Sequence, residues 1–83
     1  MIKVYALSTC PWCKKTKQFF TSKQIPFEAL EVDLLEGKEQ DEAMEEVRML
    51  VGEAIFPVTV IGEEVILGFK PDDFEEALAN GGE

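Results

Sequence analysis

The first third of the chain reads strand, helix, strand, and that order leaves few ways to fold. Ile2 to Leu7 is apolar and β-prone apart from Lys3, the pattern of a strand buried on both faces. A helix is expected from the Pro11 region to about Lys23. Cys13, Thr16, Phe19 and Phe20 fall on one helical face there, and Lys14, Lys15, Lys17 and Lys23 take the wetter positions. Ile25-Pro26 closes it, because the residue before proline avoids helical backbone. Phe27 to Leu34 reads as a second strand with Glu28, Leu30, Val32 and Leu34 turned inward. This connectivity implies a right-handed crossover between two parallel strands.

The remainder completes an α/β layout. Glu36 to Val51 reads as a strongly acidic helix with Ala43, Val47, Leu50 and Val51 as its apolar stripe and Gly52 as its stop. Its charge is read as a solvated face. Val58–Ile61 and Val65–Leu67 are short β-rich runs around a Gly62-Glu63-Glu64 hairpin turn. Asp72 is expected to cap a last helix, with Glu75 completing a capping box and Phe74, Ala77 and Leu78 buried. Asn80 to Glu83 reads as a frayed tail. The order β-α-β-α-β-β-α over residues 1–83 fits one domain, a four-stranded mixed sheet with three helices on both faces.

Two cysteines are too few to staple an 83-residue chain, so the core must stabilise it. The apolar run after Met1 is too short for a signal peptide or a membrane span, so a cytoplasmic, membrane-free protein is expected. There a lone cysteine pair serves catalysis or metal binding more often than structure. The net charge of −9 opposes nucleic-acid binding and favours partners with basic docking surfaces. The absence of histidine excludes hydrolytic triads built on that residue. A monomer is expected.

Cys10-Pro11-Trp12-Cys13 stands where the first strand hands over to the first helix. Unpaired N–H groups and the helix dipole at that point favour negative charge on Cys10, and the thiolate is the nucleophilic form. Cys13, one turn on, should be more buried and within reach of a mixed disulfide on Cys10. The chemistry that follows is attack by Cys10 on a substrate disulfide, then release of the reduced substrate by Cys13. A separate reductant must regenerate the dithiol. Cysteines so spaced also form half of a zinc site, but the chain has no histidine and no further cysteine to complete one. A metal centre shared by two chains stays open, as does a structural disulfide, although so short a loop gains little stability from one.

The chain resembles the glutaredoxin family of the thioredoxin fold along nearly its whole length. The resemblance is carried by the strand Ile2–Leu7, the motif Cys10-Pro11-Trp12-Cys13, the segment Phe56-Pro57-Val58 and the turn from Gly68 into Asp72-Asp73. It implies a thioredoxin/glutaredoxin fold and a dithiol–disulfide oxidoreductase acting on protein or low-molecular-weight disulfides, with no bound cofactor or metal. It also implies that Pro57 is cis beside the cysteines and that Phe56 offers backbone hydrogen bonds to the substrate's cysteine segment, as in the start of a β-augmentation. Pro11 and Trp12 would border that site. Lys70 would meet a carboxylate of glutathione, and Asp72 or Asp73 its amine.

Two departures bear on the reductant. Leu7 stands where many glutathione-using members carry lysine, and Gly68-Phe69-Lys70-Pro71-Asp72 replaces their Gly-Gly pair. That stretch is similar to the redoxins that serve ribonucleotide reductase and are reduced by thioredoxin reductase, whose cysteine motif usually lacks Pro11 and Trp12. The resemblance thus implies either glutathione or a flavoprotein thioredoxin reductase as partner. A glutathione-dependent iron–sulfur carrier is a further alternative.

Overall fold

The computed structural model describes residues 2–53 and 55–81, Asn80 and Gly81 by their backbone alone. Strand β1 (Ile2–Ala6) leads to helix α1 (Pro11–Ser22), strand β2 (Glu28–Glu31) and a single 3-10 turn (Val32–Leu34). Helix α2 (Gly37–Val51), the hairpin β3 (Val58–Ile61) and β4 (Glu64–Leu67), and helix α3 (Pro71–Gly81) follow. The sheet order is β2-β1-β3-β4. β1 pairs parallel with β2 and antiparallel with β3, and β3 pairs antiparallel with β4. This is the four-stranded mixed sheet with three helices expected from the sequence.

Strand alternation sorts the core into two layers. Ile2, Val4 and Ala6 of β1, with Ile61 and Ile66, face Cys13 and Phe20 of α1 and Phe74 and Ala77 of α3. Tyr5 and Val58 point the other way and meet Val32 together with Ala43 and Val47 of α2. Phe20 is fully buried, and its ring lies 5.1 to 5.7 Å from Phe19, Phe74 and Phe27. Burying one such ring stabilises the fold by about 1.5–3 kcal/mol. Cys13 lies in the same layer as Phe20, so the main apolar cluster also fixes the helix that carries the motif.

Helix α1 ends in a Schellman arrangement. Ile25 N–H reaches the Phe20 carbonyl at 2.9 Å and Gln24 N–H reaches that of Thr21 at 3.0 Å, while Gln24 takes a left-handed φ of 59°. Ile25 also packs against the Phe20 cluster, the apolar contact that accompanies this motif.

Several boundaries differ from the sequence reading. β1 stops at Ala6 rather than Leu7, because Leu7 turns to bond the cysteine motif. β2 stops at Glu31; Val32–Leu34 curls into the 3-10 turn, and Leu34 is 63% exposed instead of inward. In α2 the stripe closes with Met44 and Val51, while Leu50 stays 40% exposed. Glu64 belongs to β4, leaving a two-residue turn with Gly62 at φ 60°; a glycine at that first position suits a type II′ hairpin. The last helix begins at Pro71, where a missing N–H costs nothing. Phe74 N–H bonds the Lys70 carbonyl at 3.0 Å, so Lys70 holds the cap position. Asp72 therefore lies in the first turn and not at the cap, and Glu75 pairs with Lys23 at 3.5 Å instead of closing a capping box. Of the tail expected to fray, Asn80 and Gly81 continue α3, and Gly82 and Glu83 lie outside the described residues. No helix among the described residues is long and apolar enough to cross a membrane.

Candidate active site

Cys10 is the N-cap of α1 and its sulfur does what a serine or aspartate oxygen does elsewhere, accepting the Cys13 N–H at 3.3 Å. The Cys10 N–H bonds the Leu7 carbonyl at 3.2 Å, and the Cys10 carbonyl accepts the Lys14 N–H at 3.1 Å. The chain is thus pinned on both sides of the sulfur. Both thiols are free, Cys10 half-buried and Cys13 fully buried. Burial pushes the Cys13 thiol up to about 12; the hydrogen bond with Cys10 adds to this, and the Leu7 N–H, 3.5 Å from the sulfur, partly opposes it. One sulfur is reachable beneath helix-start N–H groups, and the other is a protonated thiol held below it.

A second segment closes the site. The Phe56–Pro57 peptide is cis and Pro57 is buried. Phe56 precedes the β3 ladder, and Cys10 and Phe56 both pack against the cluster that holds Cys13. The Pro57 carbonyl accepts the Gly68 N–H at 2.9 Å, which ties the turn after β4 to the proline. Gly68 takes φ 78°, a conformation that side chains rarely adopt. Phe69 follows and stacks on Trp12 at 6.3 Å between centroids and 26° between planes. Trp12 is 55% exposed, with the Lys15 ammonium 4.7 Å over its ring.

Pro11 and Trp12 lie in the first turn of α1 between the cysteines, and Phe56, joined to Pro57 by the cis peptide, packs against the cluster that holds Cys13. Lys70, Asp72 and Asp73 are exposed where α3 begins, directly after Phe69. No ion pair or side-chain hydrogen bond among the described residues links them to the motif.

Three contributors went unread as site residues. Phe69 registers in the sequence only as a departure, and its stacking on Trp12 depends on the Pro57–Gly68 link. Thr16 reads as a core position, yet its hydroxyl donates to the Trp12 carbonyl at 2.9 Å. Asp33 accepts the Ser8 N–H at 2.8 Å across 25 residues of sequence and also accepts the Ser8 hydroxyl. These bonds hold the Asp33 carboxyl below the usual range and steady the loop before Cys10. A helical-wheel position that is inward yet hydroxylated was the available signal for Thr16; Asp33 had none.

Two surface depressions, one along α1 at Lys14, Lys17 and Thr21 and one between α2 and β1 at Lys3, Leu30 and Glu46, contain neither cysteine. Among the described residues no group of three His, Cys, Asp or Glu side chains is arranged to hold a metal ion.

Comparison with known proteins follows the same lines. A family model described as Glutaredoxin matches residues 2–66. The chain is 38% identical over 78 residues to an uncharacterized glutaredoxin-like 8.6 kDa protein in the rubredoxin operon of Clostridium pasteurianum, covering 94% of this chain and 97% of that one. It superposes on the methanoredoxin of Methanosarcina acetivorans with a TM-score of 0.87 and 44% identity, over 93% of this chain and 82% of that one. With the glutaredoxin-like protein NrdH-redoxin of Escherichia coli, described for its thioredoxin-like activity profile, the TM-score is 0.76 at 29% identity, over 90% and 91% of the two chains.

Proposed function

The chain belongs to the glutaredoxin family and is a thiol–disulfide oxidoreductase, and from that premise we propose that it reduces protein disulfides with Cys10 as the attacking thiol and Cys13 as the resolving thiol. The observation that supports these roles is the difference in depth: Cys10 is half-buried and capped by the Cys13 N–H, and Cys13 is fully buried with its thiol pushed up to about 12. Cys10 thiolate attacks one sulfur of the substrate disulfide and the other leaves as a thiolate. Cys13 then gives up its proton, attacks the Cys10 sulfur and expels the second substrate thiol. Two electrons pass to the substrate, and Cys10–Cys13 is left as a disulfide. In this reading the Phe56 backbone and cis-Pro57 receive the extended chain around the substrate cysteine, and Pro11 and Trp12 border it. A lone cysteine pair doing this work suits a reducing cytoplasm.

For the reductant we take glutathione first, with Lys70 against a carboxylate and Asp72 or Asp73 against the amine. A second reading is a flavoprotein thioredoxin reductase, with ribonucleotide reductase among the acceptors. Phe69 stacked on Trp12 favours it, since the pair narrows the ground between the motif and the start of α3. So does the likeness to NrdH-redoxin, whose profile is thioredoxin-like.

The test measures NADPH-coupled reduction of a protein disulfide, once with glutathione and its recycling reductase and once with thioredoxin reductase. Cys10→Ser should abolish turnover in both, and Cys13→Ser should accumulate a mixed disulfide on Cys10. Persistent turnover in Cys10→Ser would overturn the assignment.

A further inference from the structure

Thr16 is fully buried one turn beyond Cys13. A hydroxyl in such a place needs a partner, and it donates to the Trp12 carbonyl at 2.9 Å. That carbonyl belongs to the same amide as the Cys13 N–H, which reaches the Cys10 sulfur at 3.3 Å. Hydrogen bonds therefore occupy both ends of one peptide plane. When the oxygen of an amide accepts a hydrogen bond, the amide polarises and its N–H becomes a stronger donor; linked bonds strengthen one another by about 10–30%. A threonine bonding the carbonyl four residues back is ordinary in helices. What differs here is which carbonyl it finds.

We propose that Thr16 is a positioning residue for Cys10, its hydroxyl strengthening the N–H···S contact through the Trp12–Cys13 peptide and so stabilising negative charge on the attacking sulfur. This rests on the reading of Cys10 as the attacking thiol. The charged and titratable groups around the motif are Lys14, Lys15 and Lys17 on α1, Cys13 beneath it, Asp33 on the 3-10 turn, and Lys70, Asp72 and Asp73 where α3 begins. A change at Thr16 alters none of them. Thr16→Val keeps the shape of the side chain and removes only the hydroxyl.

The experiment follows the rate of Cys10 alkylation by iodoacetamide across the acid and neutral pH range, with the site of labelling read by mass spectrometry. In Thr16→Val the rate should fall by about twofold to fourfold over the acidic part of that range. The Cys13 amide proton should move upfield in the NMR spectrum. Thr16→Ser, which keeps the hydroxyl, should match the parent protein, and Thr16→Ala should follow the valine variant. Profiles and Cys13 amide positions that coincide in all four proteins would overturn the role of Thr16 alone. So would a serine variant that behaves like alanine, since packing would then be the cause. Labelling that occurs elsewhere than on Cys10, or disulfide reduction that survives Cys10→Ser, would overturn the Cys10 reading and this inference with it.

Discussion

Cys10 and Cys13 occupy different solvents although one turn of helix separates them. In the folded dithiol Cys13 keeps its proton up to about pH 12, whereas its ordinary value is 9.0. Between those limits the native chain holds a proton that the unfolded chain has released, so stability must fall as pH rises through that window. Tyr5 shifts the same way, through burial first and then its 2.7 Å bond to Glu46. Urea midpoints of the reduced protein should therefore drop as pH climbs above about 9, and Cys13→Ala should flatten the slope. Thr59 presents a different problem at the same scale. It is fully buried between Val4 and Ile66 in the ladder, and its hydroxyl has no partner among the described residues. Thr59→Val should raise stability by about 1 kcal/mol, read as a higher urea midpoint at unchanged slope. The cysteine pair was legible because its spacing and its place between strand and helix are local facts. The orphan hydroxyl was not, since a threonine in a strand reads the same whether or not a partner lies across the sheet.

At the scale of elements, legibility followed the range of the forces involved. β1 and α1 were readable because apolar continuity and a helical stripe decide them locally. β2 came out short because Asp33 turns back to Ser8, a contact that no window around residues 27–34 contains. Leu50 and Met44 exchanged roles in the α2 stripe because both suit the helical period and only the position of the sheet chooses between them. The start of α3 was within reach: Pro71 at a first helical position outranks Asp72 as a cap, since its ring already has the required φ. The end of α1 yields a prediction of its own. Gln24 is held at φ 59° without the freedom of glycine. Gln24→Gly should stabilise the protein by about 0.5 kcal/mol, the relieved strain exceeding the added backbone entropy, and thermal unfolding would show it as a rise in Tm.

Over the whole molecule, charge is the least balanced quantity. There are 17 acidic and 8 basic residues, and α2 alone carries Glu39, Asp41, Glu42, Glu45 and Glu46 against Lys38 and Arg48. The ion pairs Lys3–Glu46, Lys23–Glu75 and Arg48–Glu45 span 3.5 to 3.9 Å and are largely open to water, so each contributes little. Self-repulsion should dominate, and raising salt from a few millimolar to about 0.3 M should increase Tm by screening it. The same acidity guards the sheet: the edge strands carry Glu28 and Glu31 on β2 and Glu64 on β4, which discourages pairing between molecules.

The burial of Cys13 also sets a valency. With that sulfur sealed beneath α1, another macromolecule can be held covalently only at Cys10. The molecule then has a single point of attachment, cannot bridge two clients at once, and must let go of one before it takes hold of the next.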